Sequence, residues 1–169
     1  MNGTTNYILT KMFDENIGFE DALGEAQSLG YAEQNPVSDV EGTDAARKLA
    51  ILCAVATGRY LDYRNIYTEG ITDITSDDIE YAKEAGYTIK LIARARDLNE
   101  NLPGAIVAPM FLSADSPLCN VNDVYNGIMI DSNILGTSMY YGHGAGKLPT
   151  ASAVMADIIE AGLNRNPKW

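Results

Sequence analysis

The sequence predicts an α+β fold in which a mostly antiparallel β-sheet packs against helices. In the first half of the chain, apolar residues return every three or four positions, which is the spacing of one helix face. In the second half, runs of apolar and β-branched residues are separated by turn-forming residues, as is typical of strands, and a helical segment closes the chain. Helices followed by strands are a common order of elements in α+β domains.

Two helices are expected near the start of the chain. The first covers residues 5–13, and Thr4 or Thr5 is expected to cap its N-terminus because a hydroxyl oxygen accepts a free backbone N–H there. The second covers residues 19–29. Gly30 follows it and is expected to end it, as glycine often does just beyond the last helical turn.

The central part of the chain adds two more helices and a short strand. A helix at about 44–57, capped by Thr43, carries apolar residues on every face, so the sequence predicts that it is buried on all sides. A short strand is expected at 66–71. A further helix at about 77–85 begins in a Thr-Ser-Asp-Asp capping sequence and ends at Gly86.

Strands dominate after this point. Residues 87–95 and 104–112 are expected to form an antiparallel hairpin around a polar turn at 97–101. Residues 124–131 and 135–141 are expected to form two more strands.

A last helix at 149–163, with proline in its first turn, closes the domain. We expect residues 1–163 to form one domain, which at this length can build a core, and residues 164–169 to be a linker stub.

Composition excludes several classes of function. The net charge of −11 at pH 7 repels nucleic acid and anionic membranes, so neither is expected as a partner. The longest apolar run, 49–56, is too short to span a bilayer, and no signal-peptide pattern opens the chain. Cys53 and Cys119 lack the spacing of metal ligands, so we expect no metal site and two reduced thiols in a cytoplasmic protein.

A cluster of acidic residues precedes the apolar helix, and it contains Glu33, Asp39, Glu41 and Asp44. Asp44 and Lys48 are four positions apart, so both side chains project from the same side of that helix. Such a pair is usually a surface ion pair of small energy. Here it adjoins three more carboxylates and an apolar helix, where buried charge is costly unless it serves a task. The residues alone leave both interpretations open.

Three stretches resemble the signatures of the homoserine dehydrogenase family. They are NGTTNYIL at 2–9, GYAE-x-x-P-x-x-DVEG-x-DAARKLAIL at 30–52 and YGHGAGKLPTASAV at 141–154. They lie in the family's order and cover nearly the whole chain. The resemblance implies a fold like that of the family's catalytic domain, which is similar to the C-terminal domain of glyceraldehyde-3-phosphate dehydrogenase.

The resemblance also implies a reaction. Homoserine dehydrogenases interconvert L-homoserine and L-aspartate 4-semialdehyde by hydride transfer with NAD or NADP, on the route to threonine, methionine and isoleucine. Carried over by position, Lys48 is the catalytic proton donor or acceptor at the reacting oxygen, and Asp44 holds it in place. The substrate-binding positions are Glu33 and Asp39, which bind the ammonium group, and Gly3, Thr4 and Tyr31, which complete the pocket wall.

Glycines at 142, 144 and 146 lead from a predicted strand into the last helix. They are not a nucleotide P-loop, because Tyr141 stands where that motif needs glycine and Leu148 where it needs serine or threonine. The residues alone fit either a tight turn or a loop that approaches a ligand. The resemblance implies that Gly146 and Thr150 close over the nicotinamide end of the cofactor.

The sequence contains a single histidine, and it departs from the family signature at two neighbouring positions. Histidine is a common general base, but the family varies at the position of His143, so no catalytic role is expected for it. Gln34 and Asn35 replace the more usual small residue and aspartate before the proline, which leaves the loop less acidic.

The resemblance further implies that parts of the family's enzyme lie outside this sequence. The N-terminal Rossmann domain, with a lysine beside the substrate and most of an alkali-metal site, is absent, as is the regulatory ACT domain of some members. We therefore expect a substrate-binding and dimerisation domain that forms a homodimer, needs its own Rossmann domain and is inactive alone. The alternative is a non-enzymatic dimerisation or amino-acid-binding module that kept the pocket.

Overall fold

The computed structural model describes residues 1–96, 104–144 and 146–163. The helices in these ranges are Gly3–Glu15 (α1), Phe19–Ser28 (α2), Val37–Val40 (α3), Thr43–Thr57 (α4), Ser76–Glu84 (α5) and Lys147–Leu163 (α6). The strands are Tyr67–Thr68 (β1), Tyr87–Arg96 (β2), Gly104–Ser113 (β3), Tyr125–Ser132 (β4) and Gly136–His143 (β5), and Tyr63–Asn65 and Pro117–Asn120 are short 3₁₀ helices. The α+β class is confirmed. The predicted turn at 97–101 and the stub at 164–169 lie outside the described residues.

The described strands form two small sheets instead of one continuous sheet. In the first, the order is β1-β3-β2, and the predicted hairpin is present with Ile89 opposite Phe111. In the second, β4 pairs with β5, and Tyr125 lies opposite His143. Both long pairings are antiparallel, as predicted. Among the described strands, only the two-residue strand β1 runs parallel to its neighbour, β3.

Helix α1 is the centre of the main core. Ile8, Leu9 and Met12 are completely or almost completely buried. The predicted cap at Thr4 or Thr5 is wrong, because the helix begins earlier and Asn2 is its N-cap. The Asn2 side chain accepts the Thr5 backbone N–H at 2.9 Å, so both threonines already lie inside the first turn.

The acidic loop contains a short helix that the sequence did not predict. Helix α3 begins directly after Pro36, whose carbonyl accepts the backbone N–H groups of Asp39 and Val40 at 2.8 and 3.0 Å. Gly30, with φ of +75°, follows α2 as expected. The loop therefore reaches α4 through one helical turn that fixes the direction of Asp39.

Helix α4 departs from its prediction at both its start and its surface. Its N-cap is Gly42, with φ of +80°, and not Thr43, which is the first helical residue. The helix is buried on one side only, since Ile51 and Val55 are 62% and 79% exposed. The apolar sequence shows that these residues favour burial, but the described chain covers only the opposite face: Ala45, Ala46, Leu49, Ala50 and Cys53.

The remaining helices follow the sequence more closely. Helix α5 begins with a capping box in which the Thr75 hydroxyl and the Asp78 carboxylate each bind the other residue's backbone N–H, and Gly86 lies just beyond its end. Helix α6 is exposed along its whole length. Within the described residues, no helix has the length and hydropathy needed to cross a bilayer. Cys53 and Cys119 are both free thiols, as predicted.

Two glycines fix the turn between α3 and α4. A Cβ on Gly42 would meet Val107 Cγ1 at 3.2 Å, and one on Gly70 would lie 2.6 Å from Glu41 Cα and closer still to the Val40 carbonyl oxygen. The neighbouring backbone is hydrogen-bonded, because the Ile71 N–H donates to that same carbonyl at 2.7 Å. Backbone from the β1 segment therefore presses directly on the turn that carries the acidic residues.

We expect Gly70→Ala to destabilise the domain by roughly 1–3 kcal/mol or more, because the new methyl group meets backbone atoms that cannot turn aside. The measurement is the free energy of unfolding in urea. Gly24→Ala is the matched control, since no described residue lies within 4 Å of a Cβ at that position in α2. Alanine should raise stability there by about 0.5–1 kcal/mol through its higher helix propensity. Equal effects at the two positions would contradict the proposed packing.

Candidate active site

Asn2 joins the two acidic segments. Its side chain is buried, at 6% exposure, and its Nδ2 donates to Asp39 Oδ1 at 2.6 Å and to Asp44 Oδ2 at 2.8 Å. Its Oδ1 accepts the backbone N–H and the hydroxyl of Thr5 at 2.9 and 3.1 Å. Both N–H donors and both lone pairs of the amide are thus in use. One side chain at the start of α1 therefore holds α3 and α4 together.

Lys48 completes the cluster from the next turn of α4. Its Nζ lies 2.6 Å from Asp44 Oδ2 and donates to the Met1 carbonyl at 3.3 Å. The expectation that Asp44 and Lys48 share one side of the helix is confirmed. Their side chains are 28% and 46% exposed, so the pair lies at the surface and accessible to a ligand. At such exposure the ion pair itself contributes little to stability.

The three charged side chains form a defined arrangement, which we call the acidic cluster: Asp39, Asp44 and Lys48. Asp44 is shared, since its Oδ2 accepts from both Asn2 and Lys48. Asp39 has no cation of its own among the described residues. Two carboxylates and one ammonium leave the cluster with a net negative charge, which favours a cationic ligand group beside Asp39.

Three predicted pocket residues surround the start of α1. The Thr4 hydroxyl donates to the Tyr31 carbonyl at 2.7 Å, and the Tyr31 ring packs on Tyr7 at 5.0 Å. Gly3 faces the chain ahead of β4, where a Cβ would lie 3.3 Å from the Val124 carbonyl oxygen. Burial, followed by a hydrogen bond to Glu25, raises the pKa of Tyr7 to about 12, so this phenol stays neutral.

Glu33 is not joined to the cluster by any hydrogen bond in the described structure. Its side chain is exposed, and its backbone carbonyl accepts Gln27 Nε2 at 3.1 Å. The loop is therefore fixed at Glu33 by its backbone, while the carboxylate is left in solvent.

The glycine loop, which we define by Gly142, Gly144 and Gly146, begins at the end of β5. Gly142 pairs with Asn126 and His143 with Tyr125, and the His143 ring packs on that tyrosine at 4.3 Å. The Asn126 amide occupies the space that a Cβ on Gly144 would need. Its Oδ1 is buried and has no hydrogen-bond partner in the described part of the chain. The Asn126 side chain therefore packs against Gly144 at a point where only glycine leaves enough room.

The two predicted cofactor residues lie where this loop enters α6. Gly146 has φ of +124°, which a residue with a side chain rarely adopts, and the Thr150 N–H donates to its carbonyl at 3.0 Å. Both are exposed, and no described hydrogen bond connects them to the acidic cluster. The described residues also contain no group of three metal-binding side chains.

The family model for homoserine dehydrogenase matches residues 1–159. The chain belongs to the homoserine dehydrogenase family. Among similar curated proteins are the homoserine dehydrogenases of Pseudomonas aeruginosa, 45% identical over 95% of this chain, and of Helicobacter pylori, 47% identical over 95%. The crystal structure of a homoserine dehydrogenase from Thiobacillus denitrificans is 44% identical, covers 97% of this chain and superimposes with a TM-score of 0.91.

These relatives are much longer than the chain described here. The chain spans 37% of the Pseudomonas enzyme and 38% of the Thiobacillus structure. The chain thus corresponds to one part of a homoserine dehydrogenase, and it has the same fold as the matching part of the Thiobacillus structure.

The structure adds residues that sequence reasoning did not assign to the site. Asn2 is the most important of these, since it contacts both carboxylates. The available signal was its place just ahead of a predicted helix, since asparagine is one of the preferred N-cap residues. No comparable signal marked Asn126, whose neighbours in the sequence read as an ordinary strand.

We expect Asn2→Ala to lower the free energy of unfolding by about 2–4 kcal/mol, since it removes a helix cap and two hydrogen bonds to carboxylates. Urea unfolding at pH 7 measures the change. The matched control is Asn35→Ala in the exposed loop, where the asparagine makes no described hydrogen bond and the change should be within about 0.5 kcal/mol. If both variants lose equally little, Asn2 does not hold the acidic segments together.

Proposed function

We propose that this chain is the substrate-binding and catalytic domain of a homoserine dehydrogenase. The enzyme would interconvert L-homoserine and L-aspartate 4-semialdehyde with NAD or NADP, on the route to threonine, methionine and isoleucine. The observation that carries the proposal is the Asn2 amide, which gathers Asp39 and Asp44, while Asp44 in turn pairs with Lys48. These are positions at which the chain resembles the family's substrate site.

Lys48 handles the proton in this proposal. During oxidation of the alcohol, a neutral Lys48 amine accepts the hydroxyl proton as the hydride leaves the same carbon, and in the reverse direction the ammonium returns that proton to the aldehyde oxygen. Asp44 stabilises the ammonium form and fixes its direction, since its Oδ2 lies 2.6 Å from Nζ. The Met1 carbonyl accepts a second N–H of the ammonium.

The acidic residues of the loop bind the other end of the substrate. Asp39 has one oxygen on Asn2, and its second oxygen remains for the ammonium group of homoserine. Glu33 extends into solvent near the same loop and would complete this contact after a side-chain rotation. Gly3, Thr4 and Tyr31 form the wall around the start of α1.

The residues of the glycine loop fit the nicotinamide end of a cofactor. Among the described residues, a Cβ would meet nothing within 4 Å at Gly142 and only Pro149 at Gly146, so the backbone is open to close approach. NAD or NADP, when bound, accepts or donates the hydride. Gly146 and Thr150 would border it on this side.

Most of the cofactor would be held by a dinucleotide-binding domain of the complete enzyme. Helix α6 is exposed throughout and carries apolar side chains, as does the outer face of α4, which fits surfaces that another part of the enzyme covers. A dehydrogenase must hold nicotinamide and substrate within about 3.5 Å. We therefore propose that this chain alone does not catalyse the reaction.

We expect Lys48→Met, in an enzyme completed by its dinucleotide-binding domain, to lower turnover by about 10²-fold or more, the usual scale for a lost acid–base group. Formation of reduced cofactor from homoserine, followed at its absorbance, is the measurement. Arg47→Met is the matched control, because it removes the adjacent exposed cation, which lies over Tyr63 and not on Asp44. Turnover within a few-fold of the parent in Lys48→Met would refute the assigned role.

We also propose a homodimer. Several large apolar side chains of the strands are exposed, which fits a symmetric interface between two copies. They are Phe111 on β3, Ile130 on β4 and Tyr140 on β5. Light scattering at micromolar concentration should therefore give about twice the chain mass of 18.3 kDa. Ile130→Asp should shift the mass toward the monomer, and a single-chain mass for the parent would exclude the dimer.

A further inference from the structure

Lys90 is a buried cation that the proposed chemistry does not use. It lies on β2 with 4% of its surface exposed. Its Nζ donates to Asn6 Oδ1 at 3.0 Å, to the Val121 carbonyl at 2.8 Å and to Asn122 Oδ1 at 2.8 Å. All three acceptors are uncharged, so the ammonium has no carboxylate partner in the described structure. Burial of a charge on these terms is costly, and such a residue calls for a reason.

The ammonium is saturated by the protein itself. Its three N–H groups match its three acceptors, so none is left for a ligand in the adjoining cavity of about 190 Å³, whose wall includes Thr10, Asp14 and Cys119. The acceptors come from α1 and from the segment between the second 3₁₀ helix and β4. Lys90 therefore connects three parts of the fold at one atom.

Asn6 extends this connection in both directions. Its Nδ2 donates to the carbonyls of Asp123 and Tyr125 at 2.9 and 3.1 Å, so the segment ahead of β4 lies hydrogen-bonded along α1. Its backbone N–H donates to the Asn2 carbonyl at 3.2 Å, one helical turn earlier. The residue that accepts from Lys90 is thus bonded directly to the residue that holds Asp39 and Asp44.

The same segment leads to the glycine loop. Tyr125 pairs with His143 and Asn126 with Gly142, and Gly144 packs on the Asn126 amide. A path of hydrogen-bonded and packed neighbours therefore runs from the acidic cluster through Asn2 and Asn6 to Tyr125 and the loop. Lys90 lies beside the middle of this path, where α1 and the β4 segment meet.

We propose that Lys90 is a positioning residue that fixes the distance between the acidic cluster and the glycine loop. The inference deepens the proposed function, since these two features would hold the substrate and the nicotinamide end of the cofactor. Lys90 acts through Asn6 and touches neither reactant. An ammonium suits the task because its three donors fix three acceptors at once, whereas an amide could donate only two N–H groups.

Burial opposes the positive charge that Lys90 carries into this part of the fold. Desolvation lowers the pKa of Lys90 to about 8, and Cys119, Asp14 and Asp123 oppose the shift. Because the unfolded chain holds this proton up to a higher pH, stability should rise as pH increases from about 8 toward the ordinary lysine value. Lys90→Met should lack this rise, and an identical pH dependence in parent and variant would contradict the lowered pKa of Lys90.

The first test measures amide hydrogen exchange by residue in the parent chain and in Lys90→Met. We expect exchange about tenfold faster or more at residues 121–125 and also at residues 5–6 of α1, since both ends of the connection lose an anchor. Lys83→Met is the matched control, because that lysine contacts Asn16 and Phe13 at the other end of α1. Asn122→Ala removes one acceptor without altering the buried charge. It should speed exchange at the same residues, but by a smaller factor.

The second test separates positioning from folding in an enzyme completed by its dinucleotide-binding domain. We expect Lys90→Met to lower kcat by about tenfold or more while KM for homoserine changes little. A changed distance between substrate and nicotinamide slows hydride transfer more than it weakens substrate binding. The isotope effect with deuterated homoserine should increase. Lys83→Met should leave all three unchanged.

Each result has one meaning. Faster exchange at 121–125 with no change at 5–6 would overturn the coupling, as would a folded Lys90→Met with parental kcat and isotope effect. If Lys90→Met does not fold, Asn122→Ala decides the matter by the same readouts. A parent enzyme that fails to oxidise homoserine would remove the proposed function, whereas the exchange pattern would still report the connection between α1 and the β4 segment.

Discussion

The arrangement of the site depends on one buried amide shared by two carboxylates. Asn2 is the N-cap of α1, and the same side chain donates to Asp39 and to Asp44. Two carboxylates repel when they face each other without a donor between them, and the amide removes that problem with its two N–H groups. Because its oxygen is fixed by Thr5, the amide cannot turn over without losing the cap. The direction of both carboxylates is therefore tied to the start of a core helix.

Around this point, glycines allow neighbouring segments to approach closely. Gly3, Gly42 and Gly70 each lie where a Cβ would meet another segment. The backbone at Gly70, just after β1, packs directly against the turn between α3 and α4. Asn6 and Lys90 fix the opposite side of α1 to the segment ahead of β4. Helix α1 is thus hydrogen-bonded to the acidic cluster on one side and to the segment ahead of β4 on the other.

Much of this architecture could be predicted from the sequence. Periodicity gave the long helices and the β2–β3 hairpin, and the spacing of Asp44 and Lys48 placed both on one side of α4. The helix starts were predicted less well, because several polar residues compete to be the cap. The degree of burial of α4 was wrong, since an apolar sequence shows a preference for burial but not whether another segment covers it. Contacts between distant residues, such as Asn2 with Asp39 or Lys90 with Asn6, leave no trace in local spacing.

The pairing of β1 has a consequence for how the chain is made. Strand β1 has two residues and pairs only with β3 among the described strands, and Gly42 packs on Val107 of that same strand. The turn between α3 and α4, which orients the carboxylates, therefore leaves the ribosome well before β3 has been synthesised. Helices α1 and α2 contact each other directly and need not wait. A nascent chain that ends before β3 contains every residue of the acidic cluster. It lacks the contact of Gly42 with Val107 and the partner strand of β1, which together support the turn.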